Sequence, residues 1–63
     1  MKLNDIRVLA LNELNAELAR LRQALFHARM QAATRQLKKV SIIRILKGDI
    51  AKILTVIREK RYE

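Results

Sequence analysis

The chain has 63 residues, 51% of them hydrophobic, with no cysteine, one histidine and a net charge of +8. A chain this short buries only about 60% of the surface it exposes when unfolded, and without a disulfide or thiolate metal site its stability has to come from a partner or from close helix packing. No run reaches the ~18 apolar residues of a membrane span, and Met1-Lys2-Leu3-Asn4-Asp5 mixes charges where a signal peptide has its apolar core, so a cytoplasmic or organelle-matrix protein is expected.

There is no Pro, a single Gly at position 48 and no strand-like alternation, which predicts an all-α chain. Asn4 or Asp5 is placed to cap a short N-terminal turn or helix holding Ile6 and Leu9. Next, Leu11, Leu14, Leu18, Leu21, Leu25, Ala28 and Ala32 recur at spacings of 3 and 4, the narrow seam of a coiled-coil-like helix. This predicts a helix from about Leu11 to Ala33, ~34 Å long at 1.5 Å per residue. Ala10 before it has no capping group, whereas Asn12 has one.

Ala33 to Ile42 holds the most polar stretch, Thr34-Arg35-Gln36-Leu37-Lys38-Lys39. The seam then resumes at Ile43, Leu46, Ile50, Ile53 and Ile57, predicting a second helix from about Ile42 to Lys60, ~28 Å long. Ser41 is a suitable N-cap, and Val40 and Ile45 would form a hydrophobic staple across it. Two seams joined by a short connection predict a long antiparallel two-helix hairpin, a single domain over 1–63.

A second apolar set does not fit one internal face. Phe26, Met30, Ala33 and Leu37 lie off the first seam, and Ile42, Ile45 and Val56 lie off the second. Part of this surface should face outward toward a partner, unless it wraps the hairpin's own end as core.

Catalysis finds no support. His27 has no nucleophile or paired carboxylate at helical spacing, Asp49 is isolated, and Glu13 and Glu17 form an ordinary surface pair at i, i+4. No phosphate-cradling glycine loop or metal cluster is present, and no cofactor is implied. Charge carries more information. From Leu18 to Gly48 there is no Asp or Glu, but there are Arg20, Arg22, Arg29, Arg35, Lys38, Lys39, Arg44 and Lys47. The remaining residues hold six cations and six anions, so the net charge lies in the middle of the chain. A basic zone of this kind attracts a polyanion. Arg22, Arg29 and Gln36 recur every seven residues beside the first seam, while Arg44, Lys47, Lys52 and Thr55 flank the second. With one Tyr and one Phe, stacking on single strands is disfavoured, and recognition of folded RNA by shape and backbone is expected.

Two segments resemble a known family. Phe26-His27-Ala28-Arg29-Met30-Gln31-Ala32-Ala33-Thr34-Arg35-Gln36-Leu37 is similar to the F-x-L-R-x-Q-x-A-x-G-Q-L of the bacterial large-subunit ribosomal protein numbered twenty-nine. Arg44-Ile45-Leu46-Lys47-Gly48-Asp49-Ile50-Ala51-Lys52-Ile53-Leu54-Thr55 is similar to that family's R-x-V-R-R-x-I-A-R-I-x-T. Lys2, Ile6-Arg7 and Glu13-Leu14 also fall at familiar offsets. The resemblance implies a long α-hairpin bound to large-subunit ribosomal RNA near the polypeptide exit tunnel, beside the tunnel-rim ribosomal protein numbered twenty-three. It implies no catalysis and no cofactor.

The residues put forward for RNA contact are Arg22, Arg29, Gln31, Arg35, Gln36, Lys38, Lys39, Arg44, Lys47, Lys52 and Thr55; those for protein contact are Phe26, Met30 and Leu37. Three positions depart from the family. Arg35 replaces a Gly, which implies that the first helix lacks its usual left-handed cap. Gly48 replaces an Arg, and Ala10 a common capping Ser. The alternatives are a non-ribosomal basic coiled-coil module for a protein partner or DNA, and an amphipathic helix on a membrane surface.

Overall fold

The computed structural model describes residues 1–35 and 41–62, which form three helices: α1 (Leu3–Arg7), α2 (Leu11–Ala33) and α3 (Ser41–Arg61). α2 has the bounds that its leucine seam predicts. Ala10 sits at its N-cap without a side-chain bond, and Glu13 supplies the missing cap by accepting a 3.1 Å hydrogen bond from the Ala10 N–H. This is one half of a capping box, and Asn12 lies inside the helix rather than capping it. Ser41 is the first helical residue of α3 rather than its cap, and the Val40 half of the proposed Val40–Ile45 staple lies outside the described residues.

The C-terminal end of α2 corrects one expectation. Arg35 adopts a φ of 61°, the left-handed conformation, and its N–H donates to the Ala32 carbonyl at 3.1 Å. Thr34 donates through its backbone N–H to Met30 and through its hydroxyl to the Met30 and Gln31 carbonyls. The left-handed cap is therefore kept, and an arginine carries it where glycine is the unstrained choice.

α2 and α3 pack against each other in a rod of 43 × 17 × 15 Å, but burial along the seam is uneven. The core consists of Ile6, Leu14, Leu18, Leu21, Ile53, Val56 and Ile57, all toward the end remote from the turn. Nearer the turn, small Ala28 is buried, whereas Leu25, Ile43, Leu46 and Ile50 are only half-buried. Leu11, at the start of the seam, is exposed.

α1 is responsible for that gradient. Asn4 and Asp5 are helical rather than capping, and Lys2 occupies the N-cap without a side-chain bond. α1 lies along α3, running in the same direction. The Met1 amino group pairs with Asp49 at 3.4 Å, Lys52 Nζ donates to the Met1 carbonyl at 2.9 Å, and the Arg7 guanidinium forks onto Glu59 at 3.0 and 3.2 Å. Ile6, 2% exposed, enters the core beside Val56, which is fully buried. Val56 is thus core, contrary to its place off the seam. Ile42 and Ile45 continue the same flank of α3 beyond the reach of α1 and stay exposed, as do Phe26 and Met30 on α2. Leu37 lies outside the described residues.

Candidate nucleic-acid interface

At 100° per residue, an antiparallel pair of helices has two long flanks, and here their charges differ. One flank is the α1 side. It carries Glu13 and Glu17 of α2, Asp49 and Glu59 of α3, and Asp5 on α1 itself. Most of these acids are engaged locally. Glu59 is held below the ordinary carboxylate range, first by the Arg7 hydrogen bonds, and Arg7 is raised in return by the same bonds. Glu17 is lowered by its bond to Arg20, which closes over it within one turn of α2.

The opposite flank has no acid among the described residues. Asn15, Arg22 and Arg29 project from α2, facing Lys47, Arg58 and Arg61 of α3, with Arg44 at the edge. The two helices meet there in a groove of about 570 Å3 whose lining includes Asn15 and Leu18 from one side and Leu54, Ile57, Arg58 and Arg61 from the other. None of Arg22, Arg29, Arg44, Lys47, Arg58 and Arg61 has a carboxylate within 4.0 Å among the described residues. Their charge is uncompensated and aligned along a rod, a shape suited to a polyanion.

The residues put forward from the sequence separate on this map. Arg22, Arg29, Arg44 and Lys47 come together on the acid-free flank. Lys52 lies on the α1 side with its amine on the Met1 carbonyl, and Gln31 is exposed on that same side. Thr55 is on the outer back of α3, its hydroxyl donating to the Ala51 carbonyl at 2.9 Å. Arg35 is at the α2 cap. Gln36, Lys38 and Lys39 lie outside the described residues.

Arg58 and Arg61 escaped the sequence reading because they interleave with Glu59 and fall outside the acid-free stretch. Neighbours in a helix point 100° apart, so a run balanced along the chain can still be divided between faces. A helical projection of Ile53–Arg61 carries that signal. Among the described residues, no group of three or more His, Asp or Glu side chains is placed to hold a metal ion, and no helix is long and apolar enough to cross a membrane.

A family model described as ribosomal L29 protein matches residues 4–60, which takes in nearly all of α1, the whole of α2 and all but the last residue of α3. The chain belongs to the ribosomal L29 protein family. It is a structural protein of the large ribosomal subunit and not an enzyme. Family membership implies ribosome components such as ribosomal RNA around this chain. It sets aside the non-ribosomal coiled-coil and membrane-surface alternatives. The departures at Ala10, Arg35 and Gly48 have acquired local explanations. Glu13 compensates for Ala10, Arg35 takes up the left-handed cap itself, and Gly48 faces open space, where an added Cβ would have no atom within 4 Å.

Proposed function

We propose that this ribosomal L29 protein binds large-subunit ribosomal RNA as a single domain over 1–63, laying its acid-free flank on folded RNA near the polypeptide exit tunnel. The separation of charge between the two flanks carries this reading. Arg22 and Arg29 on α2 and Arg44 and Lys47 on α3 reach the phosphates, the arginines by two-pronged hydrogen bonds and Lys47 as a point charge. Gln31, Arg35, Gln36, Lys38, Lys39, Lys52 and Thr55 extend the candidate contacts around the turn and the other faces. The exposed Phe26 and Met30, 61% and 55% accessible, offer an apolar patch to the neighbouring ribosomal protein numbered twenty-three, with Leu37 as a further candidate contact. The site of action is the ribosome, in the cytoplasm or in an organelle matrix.

Binding of the full chain to large-subunit RNA, measured over a salt series, tests the proposal. Each neutralised phosphate releases counterions, so log affinity should fall steeply with log salt. Replacing Arg29 or Arg44 by Gln should cost about 1.5–3 kcal/mol for a lost charged hydrogen bond. A flat salt response would overturn phosphate docking. Failure of the tagged chain to sediment with large subunits would overturn the assignment to the ribosomal site.

A further inference from the structure

The groove at the closed end of the rod differs from the rest of the basic flank. Its floor is apolar, built from Leu18, Leu54 and Ile57, and Leu54 remains exposed between charged neighbours. Its rim holds Asn15, Arg58, Arg61 and Tyr62. Tyr62 is 84% accessible. A row of paired RNA phosphates would engage the arginines and leave the floor wet. An acidic peptide would do the same, because carboxylates satisfy guanidinium groups but have no flat apolar surface for the leucines. A nucleotide outside a duplex has both parts, an anionic phosphate and a flat base that loses little on leaving water.

Resting on the RNA-binding reading of this same flank, we propose that the groove takes an unpaired nucleotide of the RNA. The base lies on Leu18, Leu54 and Ile57, and the phosphate lies between Arg58 and Arg61. The two arginines are neighbours at i, i+3 on α3 and have no carboxylate partner among the described residues, because Glu59 between them turns to Arg7 on the other flank. Asn15 across the groove carries both a donor and an acceptor, so it can meet either polar edge of a base. Tyr62 adds an aromatic face at the mouth, where stacking tolerates any base. The volume of about 570 Å3 falls in the range of roughly 300–1,000 Å3 that holds small organic ligands. Cations in the last turn of α3 also offset the helix dipole, so the test has to separate binding from helix stability.

The full chain, labelled with nitrogen-15, is titrated with a six-residue oligouridylate, with a blunt self-complementary RNA duplex and with polyglutamate. The oligouridylate should shift the Asn15 side-chain amide signals and the Tyr62 ring signals, and the other two probes should leave Asn15 in place. Arg58→Gln with Arg61→Gln should weaken oligouridylate binding tenfold or more, and lower the salt slope by about 0.7, for the one phosphate of a single strand that the pair holds. If that double variant loses helicity, Arg58→Lys with Arg61→Lys replaces it. This pair keeps the charge at the helix end and removes the fork, and a several-fold loss of affinity is expected. The proposal is overturned by a silent Asn15, by equal shifts with duplex or polyglutamate, or by unchanged affinity in a helical double variant. Binding of wild type to large-subunit RNA is measured alongside. Its absence refutes the RNA reading of the whole flank, whereas its presence with a silent Asn15 refutes the groove alone.

Discussion

Arg35 holds a left-handed backbone with a full side chain, and replacing it by Gly should stabilise the hairpin. Its φ of 61° puts Cβ against the following carbonyl, a strain of about 1–2 kcal/mol in a residue other than glycine. Glycine removes that strain but widens the unfolded ensemble, which returns about 0.4–1 kcal/mol. The Arg35 N–H bond to Ala32 needs only backbone and survives the change. The net gain is about 0.5–1 kcal/mol, the difference of those two ranges near their middles. In a domain of this size each kcal/mol moves the melting point by about 4–8 °C, so Arg35→Gly should raise Tm by about 2–8 °C. Melting followed by circular dichroism gives the number, with Arg35→Ala as the control. Alanine keeps Cβ and hence the strain, and should melt close to wild type. If Gly and Ala variants melt together, strain at this cap is not what limits α2. RNA affinity measured on the same variants should fall for both, since both lose the cation.

Gly48→Ala should stabilise the free chain by about 1 kcal/mol through helix propensity, because the new methyl meets no atom within 4 Å; competition with wild type for incorporation into reconstituted subunits should show no disadvantage, and exclusion of the alanine protein would reveal a close neighbour there. Ile6→Ala empties a 2% exposed core position and should cost about 2–5 kcal/mol, enough to abolish cooperative melting in so small a chain, with a retained sharp transition counting against α1 as part of the core. Glu59 has its folded pKa lowered by Arg7, so the stability from that pair is present above the ordinary value near 4.5 and is lost as pH falls through the lowered value. Acid titration followed by circular dichroism should therefore show wild type losing more stability below about pH 4.5 than Glu59→Gln, and parallel acid curves would mean that the pair contributes nothing.

The long helices were legible because their seams repeat at 3 and 4 without interruption. α2 has the predicted ends, and α3 runs one residue further at each end than Ile42–Lys60. What the repeat cannot show is how tightly each layer closes. A heptad seam treats Leu46 and Ile53 alike, yet Ile53 is fully buried and Leu46 is not, because only the Ile53 layer has α1 beside it. The same missing partner put Val56 off the seam. A short N-terminal turn or helix at Ile6 was legible, but where five-residue α1 packs was not, because its place depends on Ile6 and Arg7 meeting residues about fifty positions away. For the site, a linear count of charge found Arg22, Arg29, Arg44 and Lys47. It missed Arg58 and Arg61, which share a sequence neighbourhood with Glu59 but not a face.

The core that joins Ile6 to Ile53, Val56 and Ile57 also sets an order of events during synthesis. Val56 is made fifty residues after Ile6, which at 5–20 residues per second is a wait of about 2.5–10 s. Helical hairpins close in microseconds to milliseconds once their parts are present, so the ribosome's pace governs when this one closes. Once Leu25 is made, nineteen residues after Ile6, α2 has all its leucines but nothing to set them against until α3 follows. The chain's tertiary structure forms in a single late step, when α3 arrives and α1 and α2 close on it together.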